Sequence, residues 1–202
     1  MPEVGDRFGE RLELEAYLDD FDARFWALGA DGVWKLERLQ HFRQPESPSW
    51  VAFSQGEWNE ALRLLEGNRS GLEEEFRKVS EAGSTVQRVR VVEEPVVPYL
   101  QWELHSLRLR AECGENIRVV RPQQVAEFES DGILPEVVTL GAAVLYRLVY
   151  TTDGLLDGAV RFTDSETVTQ WREFIQQLYA DGEDLASFFE HSVARLKPPY
   201  VQ

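Results

Sequence analysis

A strand–helix–strand pattern between Val86 and Pro122 constrains the fold more than any other part of the 202-residue chain. Residues 86–92 are almost all β-branched residues and arginine, a composition typical of a buried strand. Leucines at helical spacing follow, and Gly114 stands where that helix would end, because glycine readily takes the left-handed conformation. Residues 117–120 supply the second strand. Two strands joined by one helix within about 35 residues form a right-handed parallel crossover unit, which predicts an α/β fold.

Further helices are predicted on both sides of this unit. An acidic amphipathic helix is predicted over residues 10–28, and a last helix from about Glu183 to Leu196. Capping boxes that begin at Ser54, Ser70 and Thr163 predict three more helices, since a serine or threonine and a glutamate three positions later satisfy each other's free backbone donors. Each of these helices has apolar residues along one side, as a helix that covers a sheet requires.

Extended segments complete the predicted sheet. Residues 33–42 have strand character with a shift of phase that indicates a bulge. The Asp153-Gly154 pair predicts a hairpin between residues 144–151 and 155–162, because both turn positions tolerate positive φ. The predicted fold class is therefore α/β: a single domain with a mixed sheet, a strand–helix–strand unit and a C-terminal hairpin, covered by helices.

The predicted boundaries divide the chain into three segments. Residues 1–30 hold the acidic N-terminal helix, residues 31–182 the α/β domain, and residues 183–202 the C-terminal helix and tail. The N-terminal helix could pack on its own sheet or project as an arm onto a second subunit, which would make a homodimer. The sequence leaves both arrangements open.

Composition restricts what the chain binds. Its 36 acidic and 21 basic residues give a formal charge of −15, whose field repels nucleic acid and anionic membranes. The single cysteine, Cys113, excludes an internal disulfide, and the N-terminus lacks the basic region and apolar run of a signal peptide. No apolar segment is long enough to span a bilayer. We expect a soluble, cytoplasmic protein that binds neither nucleic acid directly nor a membrane.

Arg88 and Arg90 are the main candidates for a functional site. They are two residues apart on one predicted strand, so they project from the same face, near the strand end where open α/β sheets place ligands. A charged pair on a central strand is costly unless it is paired or faces a cleft. One interpretation is a cleft that binds a phosphate or carboxylate. The other is a structural ion-pair cluster with Glu94, Glu103 or the acidic helices.

Neighbouring residues extend this candidate ligand site. Tyr99 and Trp102 lie on the first turns of the helix after the strand, where they could wall a pocket through stacking or cation–π contact, or pack in the core. Arg147, on another predicted strand, could complete the cluster. The full candidate set is Arg88, Arg90, Glu94, Tyr99, Trp102, Glu103 and Arg147.

No motif predicts catalysis, a metal or a cofactor. The histidines at 41, 105 and 191 are dispersed, without metal-ligand spacing. The chain has no Gly-x-Gly-x-x-Gly or Walker loop and no Gly-x-Ser-x-Gly elbow. Cys113 lies at a predicted helix end without a histidine in register, which favours a structural thiol. We therefore predict no catalytic residue, no metal and no cofactor.

The segment Val89–Glu103, VRVVEEPVVPYLQWE, resembles a family pattern of Arg-Val-Arg-Val-Val-Ser-Glu-Pro, a short spacer, Tyr-Leu and an aromatic followed by Glu. The family is an actinobacterial one known only as domain of unknown function 6879. Further similarity covers Leu36-Glu37, residues 114–118 and Arg147 with the Asp153-Gly154 turn. Members are commonly encoded near small acidic proteins and helix-turn-helix regulators. The resemblance thus implies a regulatory setting, with a protein of one of those two kinds as partner.

The order of elements is also similar to the phospholipase-D-like fold, which occurs in nucleases and lipases and in inactive sensor domains. An active member uses a histidine and a lysine two residues apart on a phosphoryl group. None of the three histidines here has such a lysine. This similarity implies a catalytically silent copy.

Three functions stay open at this point. The leading hypothesis is a non-enzymatic regulatory or ligand-sensing domain that acts through a protein partner. The first alternative is an enzyme that acts on a small anionic substrate in a cleft lined by Arg88 and Arg90, and the second is a structural interaction module. An anion held beside a nucleophile would favour the enzyme, whereas a solvent-free arginine–glutamate cluster would favour the other two.

Overall fold

Eight strands form a single mixed sheet in the computed structural model, which describes residues 9–200. The strands are β1 (Glu10–Glu13), β2 (Val33–Glu37), β3 (Val86–Val91), β4 (Asn116–Val120), β5 (Val137–Leu140), β6 (Val144–Tyr150), β7 (Leu156–Phe162) and β8 (Glu183–Asp184). The helices are α1 (Leu14–Phe25), α2 (Pro48–Ser54), α3 (Trp58–Gly67), α4 (Arg69–Glu81), α5 (Pro98–Cys113), α6 (Pro122–Val125), α7 (Ser165–Asp181) and α8 (Leu185–Ser192).

The strand order is β1-β7-β6-β5-β2-β3-β4-β8. The pairs β2·β3 and β3·β4 are parallel, and the other neighbouring pairs are antiparallel. The β3–α5–β4 unit is the predicted strand–helix–strand pattern, and β6 and β7 form the predicted hairpin. The prediction of one α/β domain with a mixed sheet covered by helices is confirmed.

The N-terminal segment differs from the predicted helix over residues 10–28. Its first four described residues after Gly9 form β1, which pairs antiparallel with β7, with Glu10 opposite Arg161. The segment extends because the free edge of β7 offers backbone partners that a helix could not use. The helix itself begins at Leu14 and ends at Phe25, three residues before the predicted end.

Helix α1 packs on the sheet of its own chain. Asp20 accepts hydrogen bonds from Tyr146 on β6 (2.6 Å), from Arg161 on β7 (2.9 Å) and from Arg24 (2.9 Å). Burial by itself raises the pKa of Asp20, but these three donors outweigh it and lower that pKa to about 2. The side chain of Tyr17 is buried beside Tyr146. The N-terminal segment, through β1, and the C-terminal segment, through β8, also contribute strands to this sheet.

The predicted capping boxes are wrong in detail. The Ser54 hydroxyl does not cap the next helix but donates to the carbonyl of Val51 inside α2. Helix α3 follows Glu57 without a side-chain cap. Helix α4 begins at Arg69, again without one. Of the three helices for which a capping box is predicted, only α7 has a capping side chain. That side chain is Asp164, which accepts from the backbone N–H of Thr167 at 2.8 Å.

Other boundaries also move. Strand β2 ends at Glu37 rather than continuing to residue 42, because the backbone N–H groups of Arg38 and Leu39 turn toward the Glu136 carboxylate. The last helix starts only at Leu185, since the two residues before it pair with β4 as β8. In the hairpin turn Gly154 has positive φ, at 87°, whereas Asp153 does not.

The two faces of the sheet have different coverings. On one face α7 packs Val168, Trp171, Ile175 and Leu178 against apolar residues that include Leu36, Val89 and Val91. On the other face α1 lies near β6 and β7, while α5 lies near β4. Between α1 and α5, over β2 and β3, that face carries charged side chains and two cavities rather than a continuous apolar layer. Across residues 9–200, no helix combines the length and apolar character needed to span a bilayer.

Candidate functional site

Strands β2 and β3 place alternating charged residues on the face of the sheet opposite α7. In the parallel ladder Lys35 pairs with Arg88, and Glu37 pairs with Arg90. Paired residues share a face, and each strand alternates, so the apolar neighbours of these four residues point to α7 instead. The arrangement gathers three cations and one carboxylate at the centre of the sheet.

Arg90 lies at the bottom of this group and is fully buried. Its Nε donates to Glu103 Oε2 on α5 at 2.8 Å, and its Nη2 lies 2.7 Å from the same oxygen without hydrogen-bond geometry, so that second contact is electrostatic. Its Nη1 donates to the backbone carbonyls of Glu37 (3.3 Å) and Val91 (3.1 Å). The guanidinium is therefore held entirely by its own chain.

Arg88 lies nearer the surface and bridges two carboxylates. Its Nη1 donates to Glu37 Oε2 at 2.8 Å, and its Nε donates to Glu115 Oε1 at 2.6 Å. The other oxygens of these carboxylates are also paired: Lys35 Nζ lies 2.7 Å from Glu37 Oε1, and Arg110 Nε donates to Glu115 Oε2 at 2.5 Å. These contacts join β2, β3 and α5. We call the whole set the charge network: Lys35, Glu37, Arg88, Arg90, Glu103, Arg110 and Glu115.

The carboxylates of the charge network have different pKa values although all are buried. Burial raises the pKa of Glu37, but Arg88 and then Lys35 outweigh it and hold that pKa well below its ordinary value. The pKa of Glu115 is lowered in the same way, because Arg88 and Arg110 outweigh its burial. Burial dominates at Glu103 and raises its pKa, even though Arg90 opposes the shift. The network thus holds Glu37 and Glu115 as anions, and burial works against the charge of Glu103.

Glu136 adds a further buried carboxyl beside the charge network. Its Oε1 accepts the backbone N–H groups of Arg38 and Leu39, each at 2.6 Å, whereas Oε2 is buried without a hydrogen-bond partner among the described residues. Burial and the neighbouring charge of Glu37 raise the pKa of Glu136 to about 7. The group is placed to change its protonation near neutral pH.

Two cavities open over the charge network and meet at Lys35, Arg88 and Arg110. We call them together the charged cleft. The first, of about 410 Å³, lies between α1 and the sheet and has aromatic walls from Phe21 and Phe25. The second, of about 450 Å³, lies between α5 and the loop that precedes α2. Each is within the volume range of small-molecule sites.

The structure brings together some of the predicted site residues. Arg88, Arg90 and Glu103 belong to the charge network. Tyr99 and Trp102 are buried in an aromatic cluster with Phe42. Of these two, Tyr99 touches the network through its hydroxyl, which donates to Glu103 Oε1 at 3.0 Å.

Glu94 and Arg147 lie elsewhere. The Glu94 carboxylate pairs with Arg121 at 2.5 Å. Arg147 stands opposite Val137 in the ladder, and Val137 stands opposite Leu36. That register places Arg147 on the α7 face, so it does not complete the cluster of Arg88 and Arg90. The reason is the period of two: a residue one position earlier or later would have faced them.

Sequence reasoning missed Lys35, Glu37, Arg110, Glu115 and Glu136. A usable signal existed for the first two, because Lys35 and Glu37 alternate with apolar residues in β2 as Arg88 and Arg90 do in β3. No local signal marks the others, since they reach the network from distant positions of the chain.

A serine–histidine–glutamate chain also escaped the sequence reading. His191 Nε2 lies 2.7 Å from Glu183 Oε1, and its Nδ1 lies 2.9 Å from Ser192 Oγ. The Ser192 hydroxyl also donates to the Glu94 carboxylate at 3.3 Å. The hydroxyl is therefore hydrogen-bonded to a carboxylate that also pairs with Arg121.

The fold and the charged cleft define an α/β domain with an internally paired charge network. The chain belongs to the family described as Domain of unknown function (DUF6879), whose model matches residues 19–190. The predicted family membership is thereby confirmed. No curated protein is similar enough to this chain to count as a match. Within residues 9–200 no group of three or more His, Cys, Asp or Glu side chains is arranged to hold a metal ion.

Proposed function

We propose that the chain is a non-enzymatic, ligand-sensing regulatory domain that acts through a protein partner bound at α1. The observation that carries the proposal is the apolar side of this helix, which is only partly covered. Leu14 and Leu18 are exposed, and Phe21 and Phe25, at helical spacing from them, line the charged cleft. Trp26, at its end, is exposed and lines the cleft as well. A ligand in the cleft would thus touch the helix that presents the partner surface.

The pairing within the charge network argues against the enzyme alternative. That alternative requires Arg88 and Arg90 to face a substrate, but Arg90 is fully buried and bonded to Glu103. Arg88 already carries two carboxylates. Enzymes that stabilise developing charge keep donors aimed at the reacting atoms. Donors that are held by internal carboxylates suit a sensor or a structural role better.

The charge around the exposed leucines supports a basic partner. Glu15, Asp19 and Asp22 are exposed on α1, in a chain whose formal charge is −15. An apolar patch with an acidic rim complements a surface with the opposite charge and repels a second copy of itself. A helix-turn-helix regulator has the basic surface of a DNA-binding protein and fits better than a small acidic protein. A cytoplasmic setting, with Cys113 as a free thiol, is part of the proposal.

Affinity capture from the native cell tests the partner surface. The full chain is the bait, beside Leu18→Glu as the test variant and Ile133→Glu as the control, because both positions are exposed apolar residues and Ile133 lies far along the chain. We expect a specific basic protein to be recovered with the wild-type chain and the control, and lost with Leu18→Glu. Equal recovery with both variants would exclude α1 as the partner surface.

A further inference from the structure

The cavity beside α1 has two chemically different halves. One half is formed by aromatic and aliphatic side chains: Phe21, Phe25, Trp26, Val33, Val86 and Val138. The other half is formed by three cations: Lys35, Arg88 and Arg110. Small-molecule sites in proteins combine an apolar lining with a few polar groups that fix orientation, and this cavity of about 410 Å³ has that composition.

The cations of this cavity are more exposed than the carboxylates that hold them. The side chains of Lys35 and Arg110 are each 25% exposed and that of Arg88 is 11% exposed, against 7% for Glu37 and 0% for Glu115. The ion pairs therefore lie with their negative ends in the protein and their positive ends on the cavity. A charge network that is balanced in total still presents a positive surface at this place.

Arg88 also has a donor to spare. Its hydrogen bonds run from Nε and Nη1, and no hydrogen bond within residues 9–200 uses its Nη2. The Lys35 ammonium has three donors and one carboxylate partner, Glu37. An anion at this end of the cavity would find donors without displacing Glu37 or Glu115.

Two acidic residues limit how much negative charge the cavity accepts. Asp22 lines the cavity beside Trp26, whose Nε1 donates to it at 3.0 Å. Glu75 lies 3.4 Å from Arg110 Nη2. A ligand with a single anionic group meets less of this opposing charge than a ligand with two.

We propose that this cavity binds a small aromatic carboxylate, with the ring against Phe25 and Trp26 and the carboxylate against Lys35, Arg88 and Arg110. The proposal rests on the ligand-sensing function above and gives the chemical class of the ligand. The aromatic walls favour a ring through stacking and apolar contact. The cations select the carboxylate form, because charge-assisted hydrogen bonds exist only with an ionised acceptor.

Calorimetric titration of the full chain tests the class of ligand. The probes are phenylacetate, 3-phenylpropionate and indole-3-acetate, and phenylacetamide serves as the neutral counterpart of the first. We expect at least one carboxylate to bind and phenylacetamide to bind at least about tenfold more weakly, since a charged contact is lost. Absence of binding by all three carboxylates at millimolar concentration, or equal binding of phenylacetate and its amide, would overturn the proposal.

Two variants locate the binding. Lys35→Gln removes a cavity cation, and Lys78→Gln removes a lysine on α4 that is outside the cavity and pairs with Glu74. We expect the first to weaken binding about tenfold and the second to leave it unchanged. The Trp26 indole N–H signal, assigned by Trp26→Phe, should shift in the nuclear magnetic resonance spectrum on titration. Equal affinity of both lysine variants, or an unshifted Trp26 signal, would place the ligand elsewhere.

The outcome is separable from that of the partner experiment. Partner capture depends on Leu18, which is exposed and does not line the cavity, whereas carboxylate binding depends on Lys35, which does. If the partner is lost with Leu18→Glu and no carboxylate binds, only the proposed ligand class is contradicted. If a carboxylate binds and no partner is recovered, only the proposed partner surface is contradicted.

Discussion

The two faces of the central strands differ more than any other two regions of the molecule. Strands β2 and β3 place Leu36, Val89 and Val91 on the α7 face. They place Glu37, Arg88 and Arg90 on the other face. The α7 face is closed by a helix with an unbroken apolar stripe. The opposite face is held by ion pairs at its centre, and the charged cleft lies over them. We call the two the closed face and the open face.

The difference shows how one sheet can combine a stabilising face with a face that is free for binding. Apolar contacts require a cover, because they gain free energy only when water leaves. Paired charges tolerate partial exposure, because water and the partner group both solvate them. The cleft over the middle of the sheet is compatible with a stable fold because the charged groups of its floor are internally paired.

The closed face should show the larger loss on truncation. Trp171 of α7 is fully buried, and Trp171→Ala should lower the free energy of unfolding by about 4 kcal/mol through lost burial and a cavity. Urea unfolding measures the change. Trp171→Phe is the control, because the Trp171 Nε1 has no hydrogen-bond partner within residues 9–200 and the ring can be replaced at small cost. A loss within about 0.5 kcal/mol for Trp171→Ala, the range of a surface position, would contradict the role of packing on this face.

The open face should be sensitive to the loss of one charge rather than to lost volume. Arg90→Ala leaves the Glu103 carboxylate buried without its cation, which should cost about 3 kcal/mol. The same unfolding measurement applies. Replacing both partners, as Arg90→Met with Glu103→Leu, should cost less than Arg90→Ala alone, since no stranded charge remains. A loss within about 0.5 kcal/mol for Arg90→Ala, the range of a surface position, would contradict the structural role of this pair.

A pH effect should distinguish the open face further. The pKa of Glu136 is about 7 in the folded chain, against an ordinary value of 4.5, so the folded state binds the proton more tightly. The stability that this proton contributes is present below about pH 4.5 and is lost as pH rises through 7. Glu136→Gln removes that loss. We expect the stability of the variant relative to wild type to increase by about 2 kcal/mol between pH 5 and pH 8.

Thermal unfolding at the two pH values measures this difference. Glu127→Gln is the control, because Glu127 is an exposed glutamate in the same connection. The control should show the same pH dependence as the wild-type chain. If the stability difference between Glu136→Gln and wild type were the same at pH 5 and pH 8, Glu136 would not titrate in this range.

Local pattern predicted much of the fold. The β3–α5–β4 unit, the β6–β7 hairpin and α7 follow from alternation, helical spacing and turn residues, all of which act within a few positions of the chain. The family resemblance also follows from local residues, since Val89–Glu103 carries most of it. The α/β class and the position of Arg88 and Arg90 on one face were thus accessible from the sequence.

Only the tertiary structure decided what surrounds those arginines. Arg90 meets Glu103 from the next helix, and Arg88 meets Glu37 and Glu115 from two further elements. These pairings depend on strand order and register, for which an acidic chain offers many candidate carboxylates. The same register turned Arg147 to the other face, and the free edge of β7 drew the N-terminal residues into β1. Sequence alone determines which groups alternate along a strand, while long-range packing determines which of them meet, because contact depends on the position of elements far apart in the chain.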